Sequence, residues 1–266
     1  MKQDTFRKRY RERSVKAGGL GWGVIETKAP KGAPVLILVP GTLGTADIFW
    51  NQIVALGKRL RIVSLTVPNA KSITVLSDAL ARLMDMLGLE RASLLGSSLG
   101  GYLVQHFAAR HPGRVETLFV ANTLIDPDRL RPTLAEARRL TPKQHLAANQ
   151  AKVRSMPTPD AGFKLMQRVL LAAGERLGPA TLKKRVLIVR GGPAVPAIGL
   201  PPRRIVTIDS RDDQVVPQAE LAEVRKRYPK SRHIRLKAGG HFPYVTRPAI
   251  YTELLAKHLL GRRSRL

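Results

Sequence analysis

The chain contains no cysteine. Disulfides, thiolate metal sites and cysteine nucleophiles are therefore excluded, and any covalent chemistry must come from another side chain. Aromatic residues make up only 5% of the sequence, so aliphatic side chains must do most of the packing within the 44% that is hydrophobic. Long apolar runs are missing as well. Val35-Leu-Ile-Leu-Val39 is among the longest, and it is far short of the roughly 20 residues that cross a bilayer. The opening segment MKQDTFRKRYRERSVK is charged throughout and has no apolar core of a signal peptide. These absences lead us to expect a cytoplasmic protein with no membrane span. No internal repeat or low-complexity block is present, which excludes a solenoid.

Acidic residues are also scarce: 19 Asp and Glu face 46 Lys and Arg, a formal net charge of +27. Such an excess can mark attraction to nucleic acid, anionic lipid or acidic substrates. The charges, however, are spread along the whole chain. The densest runs are Phe6-Arg-Lys-Arg-Tyr-Arg-Glu-Arg13 and Arg262-Arg-Ser-Arg265. Neither interleaves with aromatics as a platform for stacked bases would. A generally basic surface explains the pattern better than a specific nucleic-acid site.

The 266 residues suit one α/β domain with an insertion. Apolar runs bounded by proline or glycine, as for strands buried on both faces, occur at Val35 to Val39, Arg61 to Val67, Ala92 to Leu95, Val115 to Ala121, Arg204 to Ile208 and His233 to Leu236. Helical periodicity lies between them at Ala46 to Leu60, Ser72 to Leu87, Leu99 to Ala109, Gln218 to Tyr228 and Pro248 to Leu260. This alternation predicts an α/β fold with a doubly wound, mostly parallel sheet. Arg11 to Ala17 and Trp22 to Thr27, flanking a glycine-rich turn, predict an antiparallel hairpin on the sheet edge. Between about Thr123 and Pro202 the alternation breaks, and Pro132 to Leu140, Pro142 to Arg154 and Gly162 to Ala173 look like amphipathic helices. The expected organisation is a core of residues 1–122 and 203–266 with a helical cap, 123–202, inserted in it. Leu182 to Arg190 stays ambiguous on periodicity, because Val186-Leu-Ile-Val189 has strand composition.

Chemistry concentrates in three places. In Gly96-Ser-Ser-Leu-Gly-Gly101, Ser98 has glycine two residues before and two after it, as a nucleophile on a tight strand-to-helix turn requires; Ser97 has leucine at both. Serine needs a base. His241, in Lys237-Ala-Gly-Gly-His-Phe-Pro243, is the one histidine of six expected on a loop after a strand, where open α/β sheets build their sites. Three carboxylates, Asp209, Asp212 and Asp213, follow the strand before it. Asp213 is favoured over Asp212 as the group that orients His241, with Asp212 read as a solvated loop or capping carboxylate. Pro40-Gly-Thr-Leu-Gly44 closes the first buried strand. Backbone N–H groups of Thr42 and Leu99 would there form an oxyanion hole, although a ligand-free glycine turn fits the loop equally well.

In the order Ser98, Asp213, His241 the sequence resembles the α/β-hydrolase superfamily. More narrowly it is similar to the maspardin family, through Gly44-Thr-Ala-Asp-Ile-Phe-Trp-Asn-Gln-Ile-Val-Ala-Leu56, Gly96-Ser-Ser-Leu-Gly-Gly-Tyr102 and Leu236-Lys-Ala-Gly-Gly-His-Phe-Pro-Tyr244. The resemblance implies a cap helix at Leu182 to Arg190 and no metal or organic cofactor. It departs from many hydrolases in having Pro40 where they have histidine before the glycine. Animal maspardins resemble this chain but carry asparagine at the position of His241, and are regarded as binding proteins. The leading expectation is a serine hydrolase that cleaves an ester, thioester or related acyl bond of a small molecule through an acyl-enzyme. A non-catalytic binding or adaptor protein is the alternative. Aspartate-nucleophile enzymes of this fold are disfavoured because Ser98 occupies the elbow.

If the charge is a surface property, DNA or RNA should bind weakly, without sequence preference, and should dissociate steeply as salt rises through about 50 to 200 mM. Anisotropy titrations showing sub-micromolar, sequence-discriminating binding at physiological salt would contradict this.

Overall fold

A segment such as Val35–Val39 has no polar side chain on either face, so it must be covered on both sides; a parallel sheet with helices above and below does this. The computed structural model describes residues 1–261, with the side chains of residues 130–134 left aside. The basic run Arg262–Arg265 lies outside the described residues. Eight strands form one sheet: β1 (Arg13–Ala17), β2 (Leu20–Glu26), β3 (Val35–Val39), β4 (Arg61–Thr66), β5 (Ala92–Ser97), β6 (Val115–Ala121), β7 (Ile205–Ser210) and β8 (Arg232–Leu236). Their order across the sheet is β1-β2-β4-β3-β5-β6-β7-β8. The first two pairings, β1 with β2 and β2 with β4, are antiparallel, and the remainder are parallel. The hairpin is thus on the edge, as its turn glycines predict.

The helices are α1 (Gln3–Arg9), α2 (Trp50–Leu56), α3 (Ile73–Met86), α4 (Leu99–Arg110), α5 (Arg131–Arg139), α6 (Pro142–Ser155), α7 (Ala161–Leu177), α8 (Pro179–Arg190), α9 (Gln218–Arg227), α10 (Pro243–Thr246) and α11 (Pro248–Leu259). Two apolar clusters cover the two faces of the sheet. One gathers Val63, Leu94 and Val120 with Leu80, Leu103 and Phe107 of α3 and α4. The other gathers Leu36, Leu38 and Phe119 with Ile53 of α2 and Tyr251 and Leu255 of α11. Every residue of β5 is buried, which fixes this strand as the centre of the molecule and its carboxyl end as an interior corner. Among the described residues no helix is long and apolar enough to cross a membrane.

Helices α5 to α8 all lie between β6 and β7 in the chain. Their starts carry the expected signals. Thr141 and Gln144 form a reciprocal capping box at α6, and Asp160 caps α7 by accepting from Gly162 and Phe163 amides at 2.9 and 3.2 Å. The ambiguous stretch Leu182 to Arg190 is helical. Pro179 sits at its first turn, and its buried residues, Leu182, Arg185 and Ile188, recur every three positions, so the strand-like composition of Val186 to Val189 reflects exposure to several neighbours and not pairing.

One helix had no sequence signal. The N-terminal segment forms α1, in which Phe6 alone is buried, fully, and stacks on Tyr10 with ring centroids 4.7 Å apart. Seven residues cannot sustain a helix in water by themselves. Burial of Phe6, worth about 2 kcal/mol, and the side-chain bonds of Gln3 and Arg7 to Asp47 hold it in place.

Candidate active site

The polypeptide turns sharply where β5 ends. Ser98 has φ 56° and ψ −121°, a conformation that costs a residue with a Cβ about 1–3 kcal/mol. The neighbours explain how it is tolerated. A Cβ on Gly96 would come within 2.1 Å of the Gly100 carbonyl oxygen, and one on Gly100 within 2.0 Å of the Val39 carbonyl oxygen. Only glycine at both positions lets β3, β5 and the start of α4 meet this closely. The turn is pinned from outside as well: the Ser98 amide donates to the Ala121 carbonyl at 3.1 Å, and the Thr123 hydroxyl donates to the Ser98 carbonyl at 2.7 Å. Ser98 is half-buried, whereas Ser97 is fully buried, so Ser98 is the serine a substrate can reach.

Asp213 and His241 come together at the same end of the sheet, after β7 and β8. His241 Nδ1 lies 2.9 Å from Asp213 Oδ2 and 3.1 Å from Oδ1, and both residues are buried. A carboxylate only accepts, so Nδ1 carries the proton and Nε2 of the neutral ring is left as the acceptor. Burial alone would raise the Asp213 carboxyl. The charge and hydrogen bond of His241, the Asn122 amide at 2.9 Å and the Val216 backbone N–H at 3.0 Å outweigh it and hold Asp213 below the usual carboxylate range. Asp212 has a different task. Its carboxylate accepts from the Gly239 amide at 3.0 Å and the Gly240 amide at 2.9 Å, clamping the loop that presents His241. Asp209 is engaged by Arg225 and Arg235. Ser98 Oγ and His241 are not hydrogen-bonded to each other in this structure.

The loop after β3 lies against the serine: a Cβ on Gly41 would be 3.0 Å from Ser98 Cβ and 3.5 Å from its Oγ. The Gly44 amide closes this loop by donating to the Gly41 carbonyl at 3.0 Å. Among the described residues neither the Thr42 nor the Leu99 amide donates to a protein acceptor, and Leu99 N–H sits at the positive end of α4. Two features of this region escaped sequence reading. Asn122, at φ 41°, follows β6 and donates to Asp213 Oδ2 at 2.9 Å and to the Gly240 carbonyl at 3.4 Å. An asparagine just past a parallel strand, where a left-handed backbone favours it, was the available signal. Arg185 of α8 reaches from the inserted helices to the carbonyls of Thr42 and Gly44, at 3.1 and 2.8 Å, and to that of Val67. Nothing in an apolar helical stretch announces such a contact.

The remaining histidines stand apart. His106 is buried against Tyr102, and burial pushes its imidazole down to about 4. His111 meets Asp78, His233 meets Thr207 and His258 meets the Leu254 carbonyl, while His145 is buried in α6. No group of three or more His, Asp or Glu side chains suited to a metal ion occurs among the described residues.

A sheet of this order, with a strained serine after its central strand and an Asp–His pair at the same edge, defines the α/β-hydrolase fold. The chain belongs to the alpha/beta hydrolase family, whose family model matches residues 36–254, and within it to the maspardin-like proteins. Maspardin of Danio rerio is 30% identical over 240 residues, 86% of this chain and 76% of its own length. Solved structures agree on the fold. The enol-lactonase from Burkholderia xenovorans superposes with a TM-score of 0.79 at 19% identity, covering 93% of this chain and 100% of its own. A thermophilic esterase from Thermogutta terrifontis gives 0.73 at 19% identity, covering 96% and 100%.

The depressed Asp213 carboxyl sets the sign of a pH effect. Its ionised form is favoured by folding, so its contribution to stability is complete above the unfolded carboxylate value, near 3.9, and is lost only as pH falls through the lower folded value. Urea midpoints of the wild type and Asp213→Asn, compared from pH 7 to about 5, should show an undiminished wild-type advantage. An advantage that fades within that window would mean that Asp213 is not held as a low-lying carboxylate.

Proposed function

We propose that the protein is a serine hydrolase that cleaves an ester, thioester or related acyl bond of a small molecule. The observation that carries this reading is the buried Asp213–His241 hydrogen bond, at 2.9 Å, beside a strained, reachable Ser98. Ser98 Oγ attacks the acyl carbonyl carbon while His241 Nε2 takes the hydroxyl proton. Asp213 keeps the ring in the required tautomer and stabilises the imidazolium. The tetrahedral oxyanion accepts from the Thr42 and Leu99 amides. Collapse breaks the bond to the leaving alkoxide or thiolate, which receives the proton from His241 and departs, leaving Ser98 acylated. Water then attacks the acyl group, giving its proton to His241, and the second collapse returns that proton to Ser98 and releases the acid. The Ser98–His241 contact is one that forms with substrate in place.

In this reading residues 1–122 and 203–266 supply the catalytic core, and residues 123–202 form a cap that shapes the acyl pocket. The chemistry asks for no cofactor or metal. Its likeness to maspardin supports a second reading, a binding protein on the same fold, and one experiment separates the two. A fluorophosphonate probe should modify Ser98; Ser98→Ala should abolish labelling and Ser97→Ala should not. On small activated esters the wild type should gain activity with rising pH as the base loses its proton, and His241→Asn, whose amide N–H can still donate to Asp213, should remain folded, as checked by circular dichroism, and be inactive. Asp213→Asn should cost on the order of 10⁴ in kcat, as in an equivalent protease change, and Asp212→Asn should cost less. A wild type as inert as His241→Asn across a broad ester panel would favour the binding protein.

A further inference from the structure

Arg185 is 1% exposed, and its guanidinium spends its donors on backbone carbonyls alone: Thr42, Gly44 and Val67. Among the described residues no carboxylate lies within ion-pair distance of it, and its Nε has no hydrogen-bond partner. Burial pulls this guanidinium down to about 10, partly offset by the distant charge of Glu12, yet it remains charged at neutral pH. A buried cation without a counterion is an expensive way to fill space, because a packed apolar side chain avoids the desolvation cost. What the arginine achieves that an apolar residue cannot is to hold three carbonyls from two separate segments on one planar fork.

Two of those carbonyls belong to the turn Gly41–Gly44, and the third follows β4. The turn is closed internally by the Gly44-to-Gly41 bond, which sets its shape but not its attitude toward Ser98. Its residues Pro40, Gly41, Thr42, Leu43 and Gly44 offer no side-chain hydrogen bond to anchor it among the described residues, and Pro40 has no N–H. Fixing the Thr42 and Gly44 carbonyls toward α8 leaves the opposite side of the turn, where Gly41 abuts Ser98, to face the serine. The Thr42 N–H belongs to the neighbouring Gly41–Thr42 peptide, whose carbonyl accepts from the Gly44 amide, so Arg185 acts on it by fixing the adjoining Thr42–Leu43 and Gly44–Thr45 peptides.

We infer that Arg185 is the positioning residue of the oxyanion loop, holding the turn at Gly41–Gly44 so that its N–H groups meet the negative charge that develops on an acyl substrate attacked by Ser98. This rests on the serine-hydrolase reading. Helix α8 thereby takes part in the chemistry through a backbone turn, without touching substrate.

The test uses the full chain with wild type, Arg185→Lys and Arg185→Met, a fluorophosphonate probe and a p-nitrophenyl acyl ester, with folding followed by circular dichroism and urea midpoint. Losing an oxyanion contact lowers kcat by about 10²–10³. Arg185→Met should approach the lower end of that range, with KM changed by little, and should be labelled more slowly in proportion. Lysine keeps the charge but cannot span three carbonyls, and should recover only part of the rate. A purely structural arginine would instead shift the urea midpoint and leave kcat per folded molecule unchanged. Should Arg185→Met fail to fold, Arg185→Lys decides alone. A folded variant with wild-type kcat and wild-type labelling overturns the assignment of Arg185 while leaving the hydrolase reading intact. A wild type that neither labels nor turns over removes both.

Discussion

The tightest constraint in the molecule is the meeting of β3, β5 and α4 at the carboxyl end of the sheet. There the Gly100 position approaches the Val39 carbonyl so closely that even a methyl group would overlap it. Two consequences follow from this single contact. It aims Ser98 outward from a strand that is otherwise wholly buried, and it brings the loop after β3 against the serine side chain. The strained backbone at Ser98 persists because the Ala121 carbonyl and the Thr123 hydroxyl hold it from β6. The sheet therefore acts as a jig: β3, β5, β6, β7 and β8 each deliver one piece of the site at the same edge.

Charge in the interior is arranged with equal economy. Among the described residues four side-chain carboxylates are buried: Asp47, Asp209, Glu220 and Asp213. Asp47 is met by Arg7 and Arg176, Asp209 by Arg225 and Arg235, and Glu220 by Arg129. Arginine does not give up its proton in proteins, so these pairs are fixtures. Asp213 alone is paired with histidine, a partner whose protonation can change in water near neutral pH. In the serine hydrolase we propose, this buried carboxylate matched to histidine is the pair that would serve proton transfer.

The sequence was most legible where the determinant is local. Buried strands show themselves as unbroken apolar runs, and the Ser98 turn shows itself because close backbone approach admits only glycine at fixed offsets. Asp213 could be preferred to Asp212 by position, but the division of labour between them, one holding the ring and the other the Gly239–Gly240 amides, depends on how two loops meet. Asn122 was legible only as an asparagine after a strand. Helix α1 and Arg185 were not legible at all. Phe6 is a single apolar residue in a charged run, and Arg185 is a charged residue on a helix whose composition leaves strand and helix balanced. In both cases the partner lies on another element, Asp47 for Gln3 and Arg7 of α1 and the Thr42 carbonyl for Arg185, beyond the reach of periodicity.

That last contact alters how the helices between β6 and β7 are to be understood. Arg176 of α7 meets Thr45 and Asp47, and Arg185 of α8 meets Thr42 and Gly44, so consecutive helices grip consecutive parts of the segment after β3. Leu43, in the same segment, would lie 3.6 Å from a side chain at Gly174 of α7. An insertion that only covered a pocket could swing without disturbing the core. Here displacement of the insertion would pull on the Thr42 and Gly44 carbonyls, in the turn whose Gly41 abuts Ser98. In the serine hydrolase we propose, selection of the acyl group by these helices and stabilisation of the oxyanion by the loop would then be mechanically coupled, and a substrate that seats the helices would also set the loop.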